Sequence, residues 1–490
     1  MRTCSQNPGM IATDAELYAV LRQFNPWWSG SRFPELPAWR RAAFAEIAAW
    51  AKNPPGGRAL LLSGARQVGK TTLFLQAIDD LLSRGTPAQN ILYATFDHPL
   101  LKLVGLETVL RLWAEHEPPA EGIQYLFLDE IQVVKDWQTW LKIQVDFTKH
   151  RRIAVTGSAA PLLREGQKSG VGRWHTIRLA TLSFYEYLNI RKAETPEPAE
   201  IGSLARLFDW SPRQFVKAAE DARPLVPLFN EYLLRGGFPQ VALADSIVTG
   251  QRLLREDIVD KVLKRDMTAL FGVRRVIELE QVFLYLCLHN ASILDIGAIC
   301  KELQLKRPTV ASFIDLLEAT HLIYRLMPFG YGKEVLRGRA KVYLADPAIG
   351  PSVLLKGRSL LEDDTALGGA VETAFFKHVF TRYHRTSIGF SYWRDRSGHE
   401  VDIIADAGSR LVPFEVRYRA ADTGARSLKG LTEFCDARKV QRGYVITKDI
   451  GDFGILGLPS STGTVSALKI PAPLACYWLG RTEIDQATAE

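Results

Sequence analysis

The sequence contains few cysteines, and their positions exclude two kinds of site. The five are Cys4, Cys287, Cys300, Cys435 and Cys476, and no two of them form a C-x-x-C pair. The sequence therefore predicts neither a disulfide framework nor a zinc site. A reducing cytoplasm is the expected compartment.

Long apolar runs are also missing. No stretch is long enough to span a bilayer, and the N-terminus lacks the charged-then-apolar pattern of a signal peptide. We therefore expect no membrane partner. Charged residues make up 23% and hydrophobic residues 47% of the chain, a balance typical of globular domains. The formal net charge of +7 is compatible with a polyanionic partner but does not require one.

The strongest motif is a phosphate-binding loop. The run Gly64-Ala65-Arg66-Gln67-Val68-Gly69-Lys70-Thr71 fits G-x-x-x-x-G-K-[ST], between an apolar run and a helical pattern that starts at Thr72. The backbone N–H groups of such a loop and the N-terminus of the next helix bind phosphate. We predict that residues 64–72 bind ATP. In that site Lys70 reaches the β- and γ-phosphates and Thr71 is a ligand of Mg²⁺.

A second motif completes the expected ATPase site. Strands and helices alternate from residue 58 to about 191, which predicts a parallel sheet flanked by helices. The third strand ends in Asp129 and Glu130. We predict that Asp129 holds the Mg²⁺ shell, and that Glu130 orients and deprotonates the attacking water. After the fourth strand, Ser158 or Thr156 would sense the γ-phosphate.

An arginine further along is a candidate finger for a neighbouring subunit. Arg173 follows a glycine and precedes the fifth strand, and we predict that it reaches a nucleotide bound by another copy. Arg164 and Arg178 are rival candidates nearby. The alternative is an ordinary solvated arginine.

Residues 277–350 show the element order of a winged helix-turn-helix: helix, helix, turn, helix and two strands. The third helix begins near Arg307, and its N-terminal residues would face a DNA groove. The expected wing carries Lys333, Arg337, Arg339 and Lys341, four cations that suit a phosphate backbone. The alternative is a winged helix that binds protein as an adaptor.

A second α/β pattern follows, with acids in a nuclease-like arrangement. Glu372 lies on an expected helix, and Asp402 and Glu415 lie on expected strands, so the three form a candidate second Mg²⁺ site. Arg417 occupies the position where such nucleases carry lysine, and arginine is a poorer partner for a hydroxide nucleophile. We therefore expect a degenerate, structural or DNA-holding domain in preference to cleavage.

Together these motifs resemble those of a broad group of bacterial and archaeal AAA+ ATPases. The resemblance lies in the phosphate-binding loop and in Phe24-Asn25-Pro26-Trp27-Trp28, Leu128-Asp129-Glu130-Ile131-Gln132, Thr156-Gly157-Ser158, Gly172-Arg173, Leu182-Ser183-Phe184-Tyr185-Glu186-Tyr187-Leu188, Leu234-Arg235-Gly236-Gly237-Phe238-Pro239, Glu400-Val401-Asp402 and Glu415-Val416-Arg417-Tyr418-Arg419. It implies an α/β multidomain chain: an AAA+ sheet of strand order 5-1-4-3-2, a winged helix and a restriction-endonuclease-like domain. It also implies assembly into a ring, expected to be a homo-hexamer, that works on nucleic acid.

The expected domain plan follows from these assignments. It comprises a helical arm (1–52), the ATPase domain (53–192), a helical lid (193–276), the winged helix (277–350), the restriction-endonuclease-like domain (351–450) and a C-terminal tail (451–490), expected to be a terminal strand followed by a loose end.

Three functions remain open on the sequence. The first is an ATP-driven machine that remodels or moves on DNA, with branched and single-stranded forms among its candidate substrates. The second is an ATP-gated, Mg²⁺-dependent DNA nuclease acting in defence. The third is an ATP-dependent switch or scaffold that binds a protein partner.

Overall fold

The computed structural model describes residues 12–31, 35–158, 172–330, 332, 335, 338–383, 388–418, 424–461 and 463–489, with side chains up to residue 483. The chain divides into two compact units. The first comprises the residues up to 64 together with 69–179, and the second comprises 65–68 together with 180–490. Within the described ranges, every helix is too short or too polar to cross a membrane.

The first unit is a parallel sheet covered by helices. Its strands are β1 (Ala59–Ser63), β2 (Ile91–Thr95), β3 (Gln124–Asp129), β4 (Arg151–Gly157) and β5 (Trp174–Arg178), and its α-helices are α1 (Asp14–Phe24), α2 (Ala42–Lys52), α3 (Lys70–Ser83), α4 (Pro99–His116) and α5 (Trp137–Phe147). The sheet order is β2-β3-β4-β1-β5, which confirms the expected order read from the other edge. All four strand pairs are parallel.

The parallel pairing explains both the apolar strands and the place of the motifs. Strand β1 is buried along its whole length, as expected for a strand with helices on both faces. Because all strands point the same way, the segments that follow β1, β3 and β4 emerge at one edge of the sheet. Lys70, the two acids at the end of β3 and the polar residues at the end of β4 therefore lie there.

The motif around the two tryptophans covers strand β2, the outermost strand on one side of this sheet. Asn25 pairs with the backbone of Tyr93 in edge strand β2: its Nδ2 donates to the carbonyl at 2.8 Å, and its Oδ1 accepts from the N–H at 2.7 Å. The indole Nε1 groups of Trp27 and Trp28 both donate to the carbonyl oxygen of Ile91. Covering an edge strand in this way satisfies its free backbone groups.

The second unit begins with helices and continues into a large sheet. Its α-helices are Phe184–Ile190, Pro212–Ala222, Leu225–Arg235, Pro239–Ala242, Ile247–Leu253, Met267–Phe271, Val276–Leu288, Ile296–Leu303, Arg307–Ala319, Ile349–Val353, Asp364–Tyr383, Lys429–Arg438 and Ala472–Ala489, and Leu254–Asp266 is a π-helix. Its strands are β6 (Ser292–Ile293), β7 (Ile323–Pro328), β8 (Lys341–Leu344), β9 (Gly389–Arg394), β10 (Glu400–Asp406), β11 (Leu411–Arg417), β12 (Arg442–Thr447), β13 (Gly454–Ser460) and β14 (Gly463–Pro471).

All nine of these strands form one sheet, of order β13-β14-β12-β11-β10-β9-β7-β8-β6. The junction is the parallel pairing of β7 with β9, in which Met327 lies opposite Ser391 and Pro328 opposite Tyr392. The strands expected to form the wing thus extend the sheet that carries the nuclease-like acids. The expected boundary between residues 350 and 351 does not separate two sheets.

The C-terminal segment contains the expected terminal strand, but a helix stands where a loose end was expected. Strand β14 pairs with β12 and β13, and the helix Ala472–Ala489 follows it directly. Trp478 on that helix is buried, and its Nε1 donates to the carbonyl oxygen of Ala199 at 2.9 Å. The apolar run at 474–479 is therefore a helical segment that is buried on all sides, because six consecutive residues go around the helix more than once and all six are buried.

A buried carboxylate explains the glycine pair of the second unit. Asp346 is fully buried and accepts hydrogen bonds from the Thr181 hydroxyl at 2.7 Å and from the Gly237 N–H at 2.9 Å. A Cβ at Gly237 would lie 2.4 Å from the carbonyl oxygen of Leu182, and one at Gly236 would lie 2.1 Å from Asp346 Oδ1. Any side chain at either position would collide with these groups, so the close approach requires glycine.

Candidate functional site

The phosphate-binding loop places a buried lysine at the edge of the first sheet. Gly69 adopts φ +97°, a left-handed conformation that favours glycine, and Lys70 then begins α3. The Lys70 ammonium donates to the carbonyl oxygen of Gly64 at 3.0 Å and lies 3.8 Å from Glu130 Oε1. The next two residues, Thr71 and Thr72, form the first turn of α3.

Three hydroxyl groups hold the carboxylate of Asp129 at the end of β3. Thr71 Oγ1 donates to Oδ2 at 2.7 Å, Tyr93 Oη donates to Oδ2 at 3.0 Å, and Thr156 Oγ1 donates to Oδ1. Burial and the neighbouring Glu130 raise the pKa of Asp129, while the hydroxyls of Thr156 and Thr71 lower it. Hydroxyl and carboxylate oxygens are the ligands that Mg²⁺ prefers, so this donor set fits the ion predicted from the sequence.

Glu130 is held in a strained turn directly after this carboxylate. Its φ and ψ are 52° and 44°, a left-handed conformation that is uncommon outside glycine. Its backbone N–H donates to Thr156 Oγ1 at 2.8 Å, and the Gln132 amide donates to its Oε2 at 2.5 Å. Such strain persists where the surroundings fix the conformation, and it is common at active sites.

The two candidate sensors have different partners. Thr156 contacts Asp129 directly, whereas Ser158 accepts a hydrogen bond from the Gln132 amide at 3.2 Å. Gln132 therefore links Ser158 to the carboxylate of Glu130. Thr156, near the end of β4, thus contacts Asp129 directly, whereas Ser158, directly after β4, is linked to Glu130 only through Gln132.

Arg173, the candidate finger, has an acidic partner within its own unit. Its Nε lies 3.0 Å from Asp146 Oδ1, and Arg173 lowers the pKa of that carboxyl group. Arg178 is exposed on β5, and Arg164 lies outside the described residues. To reach a nucleotide in another copy, Arg173 would have to leave Asp146.

The tip of the phosphate-binding loop, residues 65–68, belongs to the second unit in the division of the chain. Within that unit, Arg66 Nη1 lies 3.1 Å from Asp266 Oδ1 in the π-helix. Gln67 adopts φ +60°, while Ala65 and Val68 are buried.

The nuclease-like acids surround a lysine that the sequence analysis assigned to the wing. Lys341 Nζ lies 2.7 Å from Glu372 Oε1, 2.7 Å from Glu400 Oε1 and 2.7 Å from Asp402 Oδ1. Arg417 Nη2 lies 2.5 Å from Oε1 of the buried Glu415. Burial, with Asp402 nearby, raises the pKa of Glu372 to about 7 and raises that of Glu415 well above its usual range.

This position corrects the expectation that Lys341 is a DNA contact on the wing. The residue is 2% exposed, because β8 pairs on both sides and turns the side chain toward β10. Burial favours the neutral amine, but Asp402 and Glu372 outweigh it and raise the pKa of Lys341 well above its usual range. An ammonium enclosed by carboxylates does not reach a phosphate backbone.

The remaining candidate DNA contacts lie at the surface where the structure describes them. Arg307 is exposed at the start of the helix Arg307–Ala319. Arg339 is also exposed, and its Nη1 lies 2.8 Å from Asp295 Oδ2. Both arginines line a cavity of about 380 Å³ between that helix and the β7–β8 hairpin. Lys333 and Arg337 lie outside the described residues.

Sequence reasoning missed two polar residues of the first site and one acid of the second cluster. Tyr93 lies in the middle of an apolar strand, so no local signal marks it. Gln132 lies two residues after the Asp-Glu pair, within the run that carries the family resemblance, and its position there was the available signal. Glu400 belongs to one of the family motifs, but its place in the cluster was not predicted.

Family profiles match three parts of the chain. Residues 56–188 match "AAA domain", residues 226–359 match "Domain of unknown function (DUF8612)" and residues 367–459 match "Domain of unknown function (DUF4143)". The AAA match covers both halves of the site built around Lys70 and Asp129.

Relatives by sequence have no described activity. An uncharacterized protein of Haemophilus influenzae is 26% identical over 368 residues, which cover 73% of this chain and 82% of that protein. Uncharacterized protein MJ1637 of Methanocaldococcus jannaschii is 23% identical over 402 residues, 80% of this chain and 81% of that protein. Among solved structures, the Aeropyrum pernix ORC1 protein in complex with DNA matches with 14% identity and a TM-score of 0.26, over 66% of this chain and 92% of that chain.

The parallel sheet, the phosphate-binding loop and the AAA domain match define the class. The first unit has the fold of a P-loop AAA domain, with Lys70 and Asp129 on the side of the sheet where its strands end.

Proposed function

We propose that this chain is an Mg²⁺-dependent ATPase that couples ATP hydrolysis to the remodelling of DNA or to movement on it. The observation that supports hydrolysis most strongly is the convergence of Lys70, Asp129 and Glu130 at one sheet edge. There Lys70 lies 3.8 Å from Glu130, and Thr71 donates to Asp129. A phosphate-binding lysine, a metal-holding acid and a general base are the parts that phosphoryl transfer to water requires.

Each residue has a distinct part in that reaction. Lys70 and the loop amides would hold the phosphates, and Thr71 and Asp129 would hold Mg²⁺, which offsets phosphate charge when bound. Glu130 would take the proton of the attacking water. Gln132 orients that carboxylate through its hydrogen bond to Oε2.

Support for DNA as the partner comes from the second unit. The helices Val276–Leu288, Ile296–Leu303 and Arg307–Ala319, followed by the β7–β8 hairpin, have the order of a winged helix. Lys306 and Arg307 are exposed where the third helix begins, the part of a recognition helix that enters a groove. We extend the proposal to ring assembly as a homo-hexamer, on the family resemblance, with Arg173 as the residue that would cross between copies.

The first experiment measures ATP turnover of the full chain, alone and with single-stranded, duplex and branched DNA. Glu130→Gln serves as the blank, because it removes the base and leaves the phosphate-binding loop intact. We expect one DNA form to stimulate turnover. Turnover indifferent to every DNA form would contradict the coupling and favour the switch that binds a protein partner.

A charge-reversal pair tests the DNA surface itself. Arg307→Glu should weaken DNA binding and reduce its dependence on salt, because a protein that neutralises fewer phosphates releases fewer counterions when it binds. Arg213→Glu is the matched control, because Arg213 is exposed on a different helix of the same unit. Equal losses of affinity in both variants would show a diffuse charge effect and would remove the proposed role of the third helix.

A further inference from the structure

The environment of Lys341 is that of a bound cation. An ammonium group has three N–H donors, and three carboxylate oxygens lie 2.7 Å from Lys341 Nζ, one each from Glu372, Glu400 and Asp402. The lysine therefore donates hydrogen bonds to Glu400 and Asp402 and forms an ion pair with Glu372 as well. Tyr343, two residues further along β8, donates from its hydroxyl to Glu372 Oε1 at 2.7 Å.

A divalent ion does not fit the same place while this lysine is present. Mg²⁺ needs oxygen ligands at about 2.0–2.1 Å in near-octahedral geometry, and here the oxygens of Glu372 and Asp402 are directed at an ammonium. Asp402 Oδ2, its other oxygen, accepts from the Val416 N–H at 2.8 Å. Within the described ranges, one set of three or more histidine, cysteine or acidic residues has ligand atoms that all lie within 4.8 Å of one another. It consists of Asp395, His399 and Glu433, and none of these belongs to the predicted set.

The backbone holds the lysine in this position. Lys341 lies opposite Leu326 of β7 and Ile293 of β6, so neighbours on both sides fix its strand. Strand β7 in turn pairs with β9, and β9 pairs with β10, which carries Glu400 and Asp402. The strand pairing that joins all nine strands into one sheet thus places Lys341 next to the acids.

We propose that Lys341 is a tethered cation that occupies the metal position of the nuclease-like cluster. It closes the cluster to Mg²⁺ and ties strand β8 to β10 and to the helix Asp364–Tyr383. The fourth acid, Glu415, has its own cation in Arg417, at 2.5 Å. The cluster is then an ion-pair site that holds the β7–β8 hairpin on the rest of the sheet. It does not cleave DNA.

The test uses Mn²⁺ as the probe, on the full chain without nucleotide, with free Mn²⁺ measured by electron paramagnetic resonance. Wild type and Asp402→Asn should give superimposable titrations, because Asp402 contributes to no metal site. Lys341→Met should gain one Mn²⁺ per chain, and the double variant Lys341→Met with Asp402→Asn should lose it again. Lys341→Arg is the matched control and should bind no additional Mn²⁺, since it keeps a cation in the cluster.

Thermal unfolding gives an independent readout. Mn²⁺ should raise the Tm of Lys341→Met, by replacing the missing positive charge, and should raise it by more than it raises the Tm of Lys341→Arg, in which only the other metal sites of the chain bind the ion. A folded Lys341→Met that gains no Mn²⁺ site would overturn the proposal.

If Lys341→Met fails to fold, the Mn²⁺ titration of proteins that keep Lys341 still tests the proposal. The Mn²⁺ titration of wild type should be matched by that of Glu372→Gln, because Glu372 contributes to no metal site. Any Mn²⁺ held at Asp129, or at Asp395, His399 and Glu433, is common to both proteins. A wild-type Mn²⁺ site that survives Asp129→Asn and disappears in Glu372→Gln would also overturn the proposal.

Discussion

The chain contains two sets of buried acids that are arranged for opposite purposes. In the first unit, hydroxyl groups surround Asp129, and the nearby cation, Lys70, lies 3.8 Å from the neighbouring Glu130. In the second unit, Asp402 contacts an ammonium directly, at 2.7 Å. Neutral donors hold a carboxylate in place and leave its charge for a metal ion, whereas an ammonium neutralises it. On the two proposals made above, the same residue type serves catalysis in one place and cohesion in the other.

The largest expected effect comes from removing the two buried lysines in turn. Lys341→Ala should lower the free energy of unfolding by about 3–5 kcal/mol, the usual loss when one partner of a buried ion pair is removed. Lys70→Ala should abolish ATP binding but change stability little in the absence of nucleotide. Urea unfolding and nucleotide titration of both variants provide the measurement. Similar stability losses in the two variants would contradict the comparison.

The next largest effect is expected on ATP turnover, when Asp129 and Asp402 are each replaced by asparagine in separate variants. Asp129→Asn should reduce ATP turnover by about 10²–10³-fold, the scale on which removal of one electrostatic group slows a reaction. Asp402→Asn should leave turnover without DNA unchanged, because the partners of its side chain, Lys341 and the Val416 N–H, both lie in the second unit. Steady-state turnover of the two purified variants decides this. A large loss in Asp402→Asn would give the second cluster a part in hydrolysis.

Acid should weaken the second unit through a buried histidine. His378 accepts from the Phe184 N–H at 2.7 Å and contacts the Ala374 carbonyl oxygen at 2.6 Å, and burial together with Lys377 lowers its pKa to about 3. The unfolded chain protonates this imidazole near pH 6.5, so stability falls as the pH drops below that value. The slope is at most about 1.4 kcal/mol per pH unit.

Urea unfolding at pH 7.5, 6.0 and 5.0 measures this slope. His378→Gln should flatten it, because glutamine does not titrate. His150→Gln, at an exposed position of the first unit, should leave it unchanged. Equal slopes in wild type and His378→Gln would show that other groups cause the acid sensitivity.

The smallest expected effect on ATP turnover concerns the hydroxyl of Tyr93, which was not predicted from the sequence. Tyr93→Phe removes one of three donors to Asp129 and keeps the ring in the core. One hydrogen bond is worth about 0.5–1.5 kcal/mol, so turnover should fall by roughly 2–10-fold. Tyr125→Phe is the control, because the Tyr125 hydroxyl donates to Ala51 at the other end of the sheet. An unchanged rate in Tyr93→Phe would show that Thr71 and Thr156 suffice.

The first site was largely predictable because its parts are local. Lys70, Asp129 and Thr156 each lie at the end of a recognisable strand or at the start of a helix, and parallel strands bring such ends to one edge. The hydrogen-bond partners of Asp129 were harder to predict from the sequence. Tyr93 reaches the acid from the middle of the neighbouring strand, and only the side-by-side pairing of β2 with β3 shows it.

The amino-acid sequence by itself indicated the class of the first unit and the candidate residues of its nucleotide site, through a phosphate-binding loop and an apolar strand ending in two acids. The strand order was implied by the family resemblance, and the sheet confirms it. Only the tertiary structure decided the role of Lys341. In the sequence it is one cation among four in an expected wing, 61 residues from Asp402. The parallel pairing of β7 with β9 joins segments distant in the chain, and no local pattern specifies that pairing. This pairing places Lys341, which was expected at the surface, in the interior next to the acids.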